Sequence, residues 1–362
     1  MKPIVMPVYR PTANCIWRSF QNSGKRHLIL TGSRGSGKTT LLRSLFPQPM
    51  PGITTWVEPR SAVYLQENRT DSSIPIGRFD ETLPGPQNRM APCPDGLERL
   101  GIPALQRCLS ATEEWVMLDE IGYLECGCEA YQAAVRELMK HKRVAAVVRS
   151  QELPFLQELC SRPDGFVVRL DAPYGQAGCV IMASGQGKRF GGNKLMADFH
   201  GMPVIQHVLQ ATEGIFQRRI VVTRHADVAA FCRKQAVEAI VHDLPLRSDT
   251  VRLGLQTMDG LDGCMFCAAD QPLLTHETVA ALALAGAADA QTIWRAACAD
   301  HVGNPVWFPR WAFEELLHLP PGKGGGLVAQ KYPEQVRTVP VRDAYELKDV
   351  DTQDDLRILL EQ

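Results

Sequence analysis

Two stretches of this chain each end an apolar run in a glycine-rich turn carrying cations: "HLILTGSRGSGKTT" at 27–40 and "GCVIMASGQGKRFGGNK" at 178–194. Each has the pattern of a β-strand delivering backbone N–H groups to phosphate, a turn that belongs at the carboxyl end of a strand in a parallel sheet. Two such turns so far apart imply two sheets. The 362 residues allow it, because domains cluster at roughly 100–200 residues. A break falls in "DAPYGQAG", 171–178, where Pro and Gly separate two strand–helix alternations. The expectation is an α/β chain of two domains, 1–174 and 175–362.

The first turn fits G-x-x-x-x-G-K-[ST], with Gly32, Gly37, Lys38 and Thr39 in the fixed places and Gly35 between them. A strand precedes it and a helix follows, with Leu41, Leu42, Leu45 and Phe46 on the inner side. The glycines let the backbone wrap round phosphates, Lys38 supplies charge to the outer ones, and Thr39 offers a hydroxyl to Mg²⁺. A second strand, Val116–Leu118, ends in Asp119 and Glu120. Asp119 suits orientation of Mg²⁺ through its water shell, and Glu120 suits activation of an attacking water.

"DEIGYLE" at 119–125 resembles the D-E-I-G-x-x-E signature of a small P-loop nucleoside-triphosphatase family typified by archaeal and thermophile enzymes. "PGITTWVEPR" resembles that family's region after the first helix, with Gly52, Thr54, Thr55 and Glu58 in register. The resemblance runs from about 27 to 171, but the Pro-rich, polar stretch 61–110 departs from the pattern. It implies slow hydrolysis of ATP or GTP with little base preference.

Beyond the break the alternation resumes: strand "CVIMAS", glycine turn, helix "PVIQHVLQATEGI", strand "RRIVVT", helix "ADVAAFCRKQA", strand "EAIVH". This predicts a parallel sheet covered by helices on both faces. Its turn lacks G-K-[ST] and does not fit the dinucleotide fingerprint. The order Gly185, Gly187, Arg189, Phe190, Gly191, Lys194 resembles L-A-x-G-x-x-x-R-[MF]-G-x-x-K of nucleotidyltransferases. Among these it is most similar to the molybdenum cofactor guanylyl- and cytidylyltransferases, with Ser184 where Ala or Gly is common.

"CAADQPLL", "HVGNPVWFP" and "LKDVDTQDDL" resemble three further segments of that family in order. The resemblance implies a Rossmann-like, GT-A-like nucleotidyltransferase sheet with Mg²⁺ on Asp270 and on Asp351, favoured over Asp349. Arg247, Asp249 and Thr250 lie in "LPLRSDTVRLGLQ", which resembles the R-x-D-S-V-x-x-G-L run of cytidylyltransferases. Ser248 or Asp249 is equally suited to cap a helix there. "PPGKGGGLVAQ" at 320–330 resembles an acceptor-side loop but carries three successive glycines.

Attack by a phosphate oxygen on an α-phosphorus brings two anions together, so Arg189 and Lys194 suit the chemistry. The implied reaction joins CMP from CTP to molybdopterin and releases pyrophosphate, and a molybdoenzyme would receive the product. Alternatives are GTP as donor, a sugar or polyol phosphate as acceptor, and a P-loop half acting as a nucleotide-dependent switch for delivery.

With 39 basic and 40 acidic residues, nothing points to nucleic acid or an anionic membrane as a partner. No apolar run approaches the roughly 18 residues of a membrane span. The expected location is the cytoplasm, where eleven cysteines stay as thiols. Cys264 and Cys267 read as buried strand residues, whereas Cys126 and Cys128 leave a soft-metal site open. His200, His207 and His301 are expected to be helix or loop residues before catalytic bases.

Overall fold

The computed structural model describes residues 8–70, 72–83, 89–299 and 301–362. They form two compact units, one over Gly24–Ala172 and one over Pro173–Gln362 joined by residues 8–23.

The Gly24–Ala172 unit is built on eight strands. They are β1 (His27–Gly32), β2 (Gly52–Glu58), β3 (Ala62–Glu67), β4 (Ser73–Phe79), β5 (Met90–Pro92), β6 (Trp115–Ile121), β7 (Arg143–Arg149) and β8 (Gly165–Arg169). Their order is β5-β4-β3-β2-β6-β7-β1-β8. From β2 to β8 all neighbours are parallel, and β1 is buried along its whole length, as a strand covered on both faces must be. Antiparallel β3, β4 and β5 extend the sheet beyond β2. They come from the stretch 61–110, where the family pattern fades and the sequence alone predicts no strands.

The Pro173–Gln362 unit holds β9 (Ala177–Ala183), β12 (Arg218–Thr223), β13 (Glu238–Val241), β14 (Gly263–Ala268), β15 (Ile293–Cys298), β16 (His301–Pro309) and β17 (Val336–Pro340). The short β10 (Asp198–Phe199) and β11 (Met202–Pro203) pair separately. The main order is β13-β12-β9-β14-β16-β15-β17. The expected parallel core is present from β13 to β14. However, β16 runs antiparallel to both neighbours, so the sheet is mixed. The chain leaves β9 towards β12 on one side and returns as β14 on the other. That makes the end of β9 a switch point, where ligands bind in such sheets.

The helix Ala13–Gln21 corrects the expected boundary at 1–174. Its Cys15, Ile16 and Phe20 are buried, and it packs on the helix His276–Ala288. Arg18 Nη2 donates to Thr278 Oγ1 at 3.0 Å, and Arg18 Nε to the Pro340 carbonyl at 3.0 Å. Ser19 Oγ donates to the Ala281 carbonyl at 2.7 Å. Its partner lies some 260 residues away, and no local pattern could name it.

Candidate functional sites

The first glycine turn of the Gly24–Ala172 unit runs from β1 into the helix Lys38–Leu45, whose N-cap Gly37 has φ +88°, a conformation costly for any residue with a Cβ. Lys38 Nζ donates to the carbonyls of Gly32 at 2.9 Å and Ser33 at 2.7 Å. Burial lowers its pKa, against the pull of Glu120 and Asp171. Gly32 and Gly35 stand in the same turn with φ +149° and +81°. Asp171, which sequence reading passed over, accepts from Ser33 N at 2.6 Å and Ser33 Oγ at 2.8 Å and so braces the turn.

Thr39 Oγ1 donates to Asp119 Oδ1 at 2.8 Å across the gap between turn and β6. Asp119 is 1% exposed, and burial raises its pKa. Its Oδ2 has no hydrogen-bond partner among the described residues, with Arg43 Nη2 3.6 Å away. A buried carboxylate with an unsatisfied oxygen beside a hydroxyl is a hard-oxygen donor set that fits Mg²⁺.

Glu120 sits where the β6–β7 register shifts, at φ +151°. Such a bulge turns one side chain out of the ladder at a cost in backbone strain. Here it turns Glu120 into a cavity of about 570 Å³ that Lys38 also lines. Arg149, at the end of β7, holds the Glu120 carboxylate through Nε. Sequence reading missed Arg149, since an arginine ending an apolar strand reads as a solvated terminus. Glu125, the last residue of "DEIGYLE", is 3% exposed and accepts from Gly122 N at 2.8 Å. Burial pushes its pKa up to about 7.

In the Pro173–Gln362 unit the turn after β9 is shaped by Gly187. Its φ is +59°, and a Cβ there would stand 2.3 Å from the Gly192 carbonyl oxygen. Gly191, at φ +82°, closes the turn. Lys194, 8% exposed, reaches Asp270 Oδ2 at 2.5 Å and Asp351 Oδ1 at 3.0 Å. Burial alone would lower its pKa, but the charge and hydrogen bonds of Asp270, then of Asp351, outweigh burial and raise it. Arg189 Nη2 donates to Asp351 Oδ2 at 2.7 Å. One backbone and one side-chain hydrogen bond join these distant segments: Val350 N donates to the Asp270 carbonyl at 2.9 Å, and Gln353 Nε2 to that of Phe190 at 3.3 Å.

Four expected residues, Arg189, Lys194, Asp270 and Asp351, therefore meet at one point. The ammonium of Lys194 stands between two carboxylates where a divalent cation would be held, and their oxygens fit Mg²⁺. Beside them opens a cavity of about 380 Å³ lined by Ser184, Gly185, Arg247, Thr250, Asp270 and Asp349 among others. Asp349 faces this cavity, whereas Asp351 is engaged by the two cations. Burial and then the neighbouring Asp270 push the Asp349 pKa up to about 6. In "DVD" the two acids are indistinguishable by type, and only the fold separates them.

Asp249 is brought near but not in. Its Oδ2 accepts from Leu246 N at 3.1 Å and its Oδ1 from Arg252 Nη2 at 2.5 Å, closing the first turn of the helix Arg247–Leu255. Of the two roles weighed for this residue, the structure displays the cap. Ser248 accepts from Gly322 N at 3.2 Å, and a Cβ on Gly324 would meet Arg247 Nε at 3.0 Å. The glycine run 324–326 is thus folded over the helix start. Ser184, between its donation to the Val222 carbonyl at 3.0 Å and His242 Nε2 at 2.8 Å, is a cavity residue whose partner sequence reading did not find.

The other candidates lie elsewhere. His207 is bonded to the Phe199 carbonyl at 3.0 Å, and none of His200, His207 or His301 lines either cavity. Cys264 and Cys267 are buried in β14. Cys126 donates to the Gly122 carbonyl at 3.3 Å. Among the described residues no group of three His, Cys, Asp or Glu side chains is placed to hold a metal.

With this geometry in place, comparison with known families is decisive. Residues 179–336 match the MobA-like NTP transferase domain, and residues 84–173 match the family described as NTPase. The chain is a fusion of the two. The NTPase match begins beyond the first glycine turn, so that turn rests on its own motif and geometry. No curated protein matches the chain.

Among solved structures, a nucleotidyl transferase from Methanothermobacter thermautotroptrophicus is 23% identical, covering 51% of this chain and 95% of its own, at a TM-score of 0.44. Rv0371C from Mycobacterium tuberculosis, solved as a complex with manganese, is 26% identical, covering 52% and 99%, at 0.44. THEP1 from Aquifex aeolicus is 22% identical, covering 40% and 89%, at 0.35. The fusion is an enzyme architecture for nucleotides: a nucleotidyltransferase and an NTPase in one polypeptide. No helix among the described residues is long and apolar enough to cross a membrane.

Proposed function

We propose that the Pro173–Gln362 unit transfers CMP from CTP to molybdopterin and releases pyrophosphate. The observation that carries this reading is the meeting of Lys194, Arg189, Asp270 and Asp351 at the mouth of a cavity beside the glycine turn. An oxygen of the acceptor phosphate attacks the α-phosphorus. The bond from that phosphorus to the bridging oxygen breaks, and pyrophosphate leaves with the electron pair. Arg189 and Lys194 neutralise the triphosphate as charge moves onto the leaving group. Mg²⁺, held by Asp270 and Asp351, would supply further charge neutralisation when bound. Gly185, Gly187 and Gly191 present backbone N–H groups to phosphate, while Ser184, Arg247 and Thr250 surround the place left for the base.

The Gly24–Ala172 unit binds ATP or GTP through Gly32–Thr39, with Mg²⁺ on Thr39 and Asp119. Glu120, aimed into the cavity and held by Arg149, receives the proton of the attacking water. A molybdoenzyme is the proposed recipient of the finished cofactor. Eleven free cysteines support a cytoplasmic location.

The test is pyrophosphate release from CTP or GTP with purified molybdopterin and Mg²⁺. The reading expects release with CTP at a rate at least about tenfold above GTP, the discrimination that one or two base contacts supply. Release with a sugar phosphate and none with molybdopterin would remove the acceptor assignment.

A further inference from the structure

The cavity beside the glycine turn after β9 crosses several strand ends, and its two sides differ in chemistry. In the order β13-β12-β9-β14-β16, Asp270, which follows β14, and Asn304, in β16, line it on one side of that turn. On the other side it is lined by Arg224, which follows β12, and by residues 244–247, which follow β13. The cluster suited to phosphate and metal lies on the first side, where Lys194 bridges Asp270 and Asp351. A triphosphate drawn over the turn to that cluster leaves its base on the β12–β13 side, among Ser184, Arg224 and Arg247.

Ser184 is the side chain there with a fixed polarity. Its Oγ donates to the Val222 carbonyl at 3.0 Å and lies 2.8 Å from His242 Nε2. A hydroxyl has one proton and two lone pairs. Burial, and then the charge of Arg224, lower the His242 pKa, so the imidazole is neutral at pH 7. With the imidazole proton on Nε2, His242 donates to Ser184 and the Ser184 proton goes to Val222. With the proton on Nδ1, both Val222 and His242 compete for the Ser184 proton. In either tautomer the proton is turned into the protein, and a lone pair is left for the cavity.

We propose that Ser184 sets the choice between pyrimidines, its oxygen accepting a hydrogen bond from the exocyclic amine of cytosine and opposing O4 of uracil. Cytosine carries a donor at C4 where uracil carries an acceptor. Arg224 and Arg247 supply N–H donors to the same side, which suits the acceptors O2 and N3 of cytosine, whereas N3 of uracil carries a proton. Guanine also presents N–H donors, so Ser184 acts on the choice of CTP over UTP and leaves that of CTP over GTP to other groups. For the placing of the base the inference rests on the transferase reading above.

The experiment is calorimetric titration of the full chain carrying Lys38→Ala, so that the first glycine turn does not take up the nucleotide, with Mg²⁺ and CTP, UTP or the pyrimidin-2-one analogue that lacks any group at C4. A parallel arm measures pyrophosphate release from CTP with molybdopterin. CTP should bind at least about tenfold tighter than UTP, the scale of one hydrogen bond made against one opposed. The analogue should fall between them, a ranking that needs no variant. Ser184→Ala should bring CTP and UTP within about threefold, chiefly by tightening UTP, which general damage to the site does not do. Equal binding of CTP and UTP, or a preference that survives Ser184→Ala, overturns the inference even where pyrophosphate is released. A preference that depends on Ser184, with no pyrophosphate released on molybdopterin, upholds it and defeats the acceptor assignment instead. Binding of neither nucleotide defeats both.

Discussion

Replacing Lys194 by Met tests the reading of the transferase site directly. In the wild-type protein the ammonium lies 2.5 Å from Asp270 and 3.0 Å from Asp351 and is 8% exposed. Removing one member of a buried ion pair typically costs about 3–5 kcal/mol, because the remaining charge is left uncompensated. Asp351, with 36% of its side chain exposed, keeps part of its hydration. The expected loss is therefore about 2–4 kcal/mol. For a unit of this size each kcal/mol shifts Tm by about 2–4 °C, so melting of the Pro173–Gln362 unit should fall by about 5–15 °C without metal. Adding Mn²⁺ should raise the Tm of Lys194→Met more than that of wild type, since the divalent ion then neutralises the carboxylates without displacing an ammonium. Lys194→Met/Asp351→Asn should recover part of the metal-free loss. Differential scanning fluorimetry with and without Mn²⁺ reads all of this. A metal-free Tm within about 1 °C of wild type would show that Lys194 does not bridge the two acids in solution.

Three further outcomes follow from other parts of the chain. Gly187→Ala places a Cβ 2.3 Å from the Gly192 carbonyl oxygen at φ +59°; CTP affinity measured by calorimetry should fall at least about tenfold from the strained turn. Thr39→Val removes the hydroxyl bonded to Asp119 and should cut release of inorganic phosphate from ATP by about 100-fold, with pyrophosphate release from CTP as the internal control. His27 is buried, accepts from Val144 N, and has its pKa pushed down from 6.5 to about 4. Its neutral form is the folded form, so its contribution is present above pH 6.5 and lost as pH falls towards about 4, a difference of about 3 kcal/mol. Urea unfolding of the Gly24–Ala172 unit across that range should show the slope, and His27→Asn should flatten it.

The two glycine turns, the strands before them and the acids at the ends of β6 and β14 were legible because each is a local device. A strand, a glycine and a cation adjacent in sequence are adjacent in space, and the chemistry of phosphate restricts which residue types serve. Asp119 beside Thr39, and Asp270 beside Lys194, could be paired because parallel sheets bring strand ends to one edge. By itself the sequence thus determined two α/β units, two glycine turns that carry cations, and most of the charged side chains that gather beside each.

Tertiary structure decided what depends on long-range contact. It turned Asp349 to the cavity and gave Asp351 to Lys194 and Arg189, two acids that a run of "DVD" leaves equivalent. It revealed Asp249 holding the end of a helix, and it brought Arg149 and Asp171 to the first site from strand ends that read as solvated. It carried the helix Ala13–Gln21 across to the second unit, because a buried arginine and an apolar stripe need partners that only packing supplies. It also brought Val57, Val63, Phe79 and Met90 into the wall of a cavity, since edge strands gain their meaning from the sheet they join.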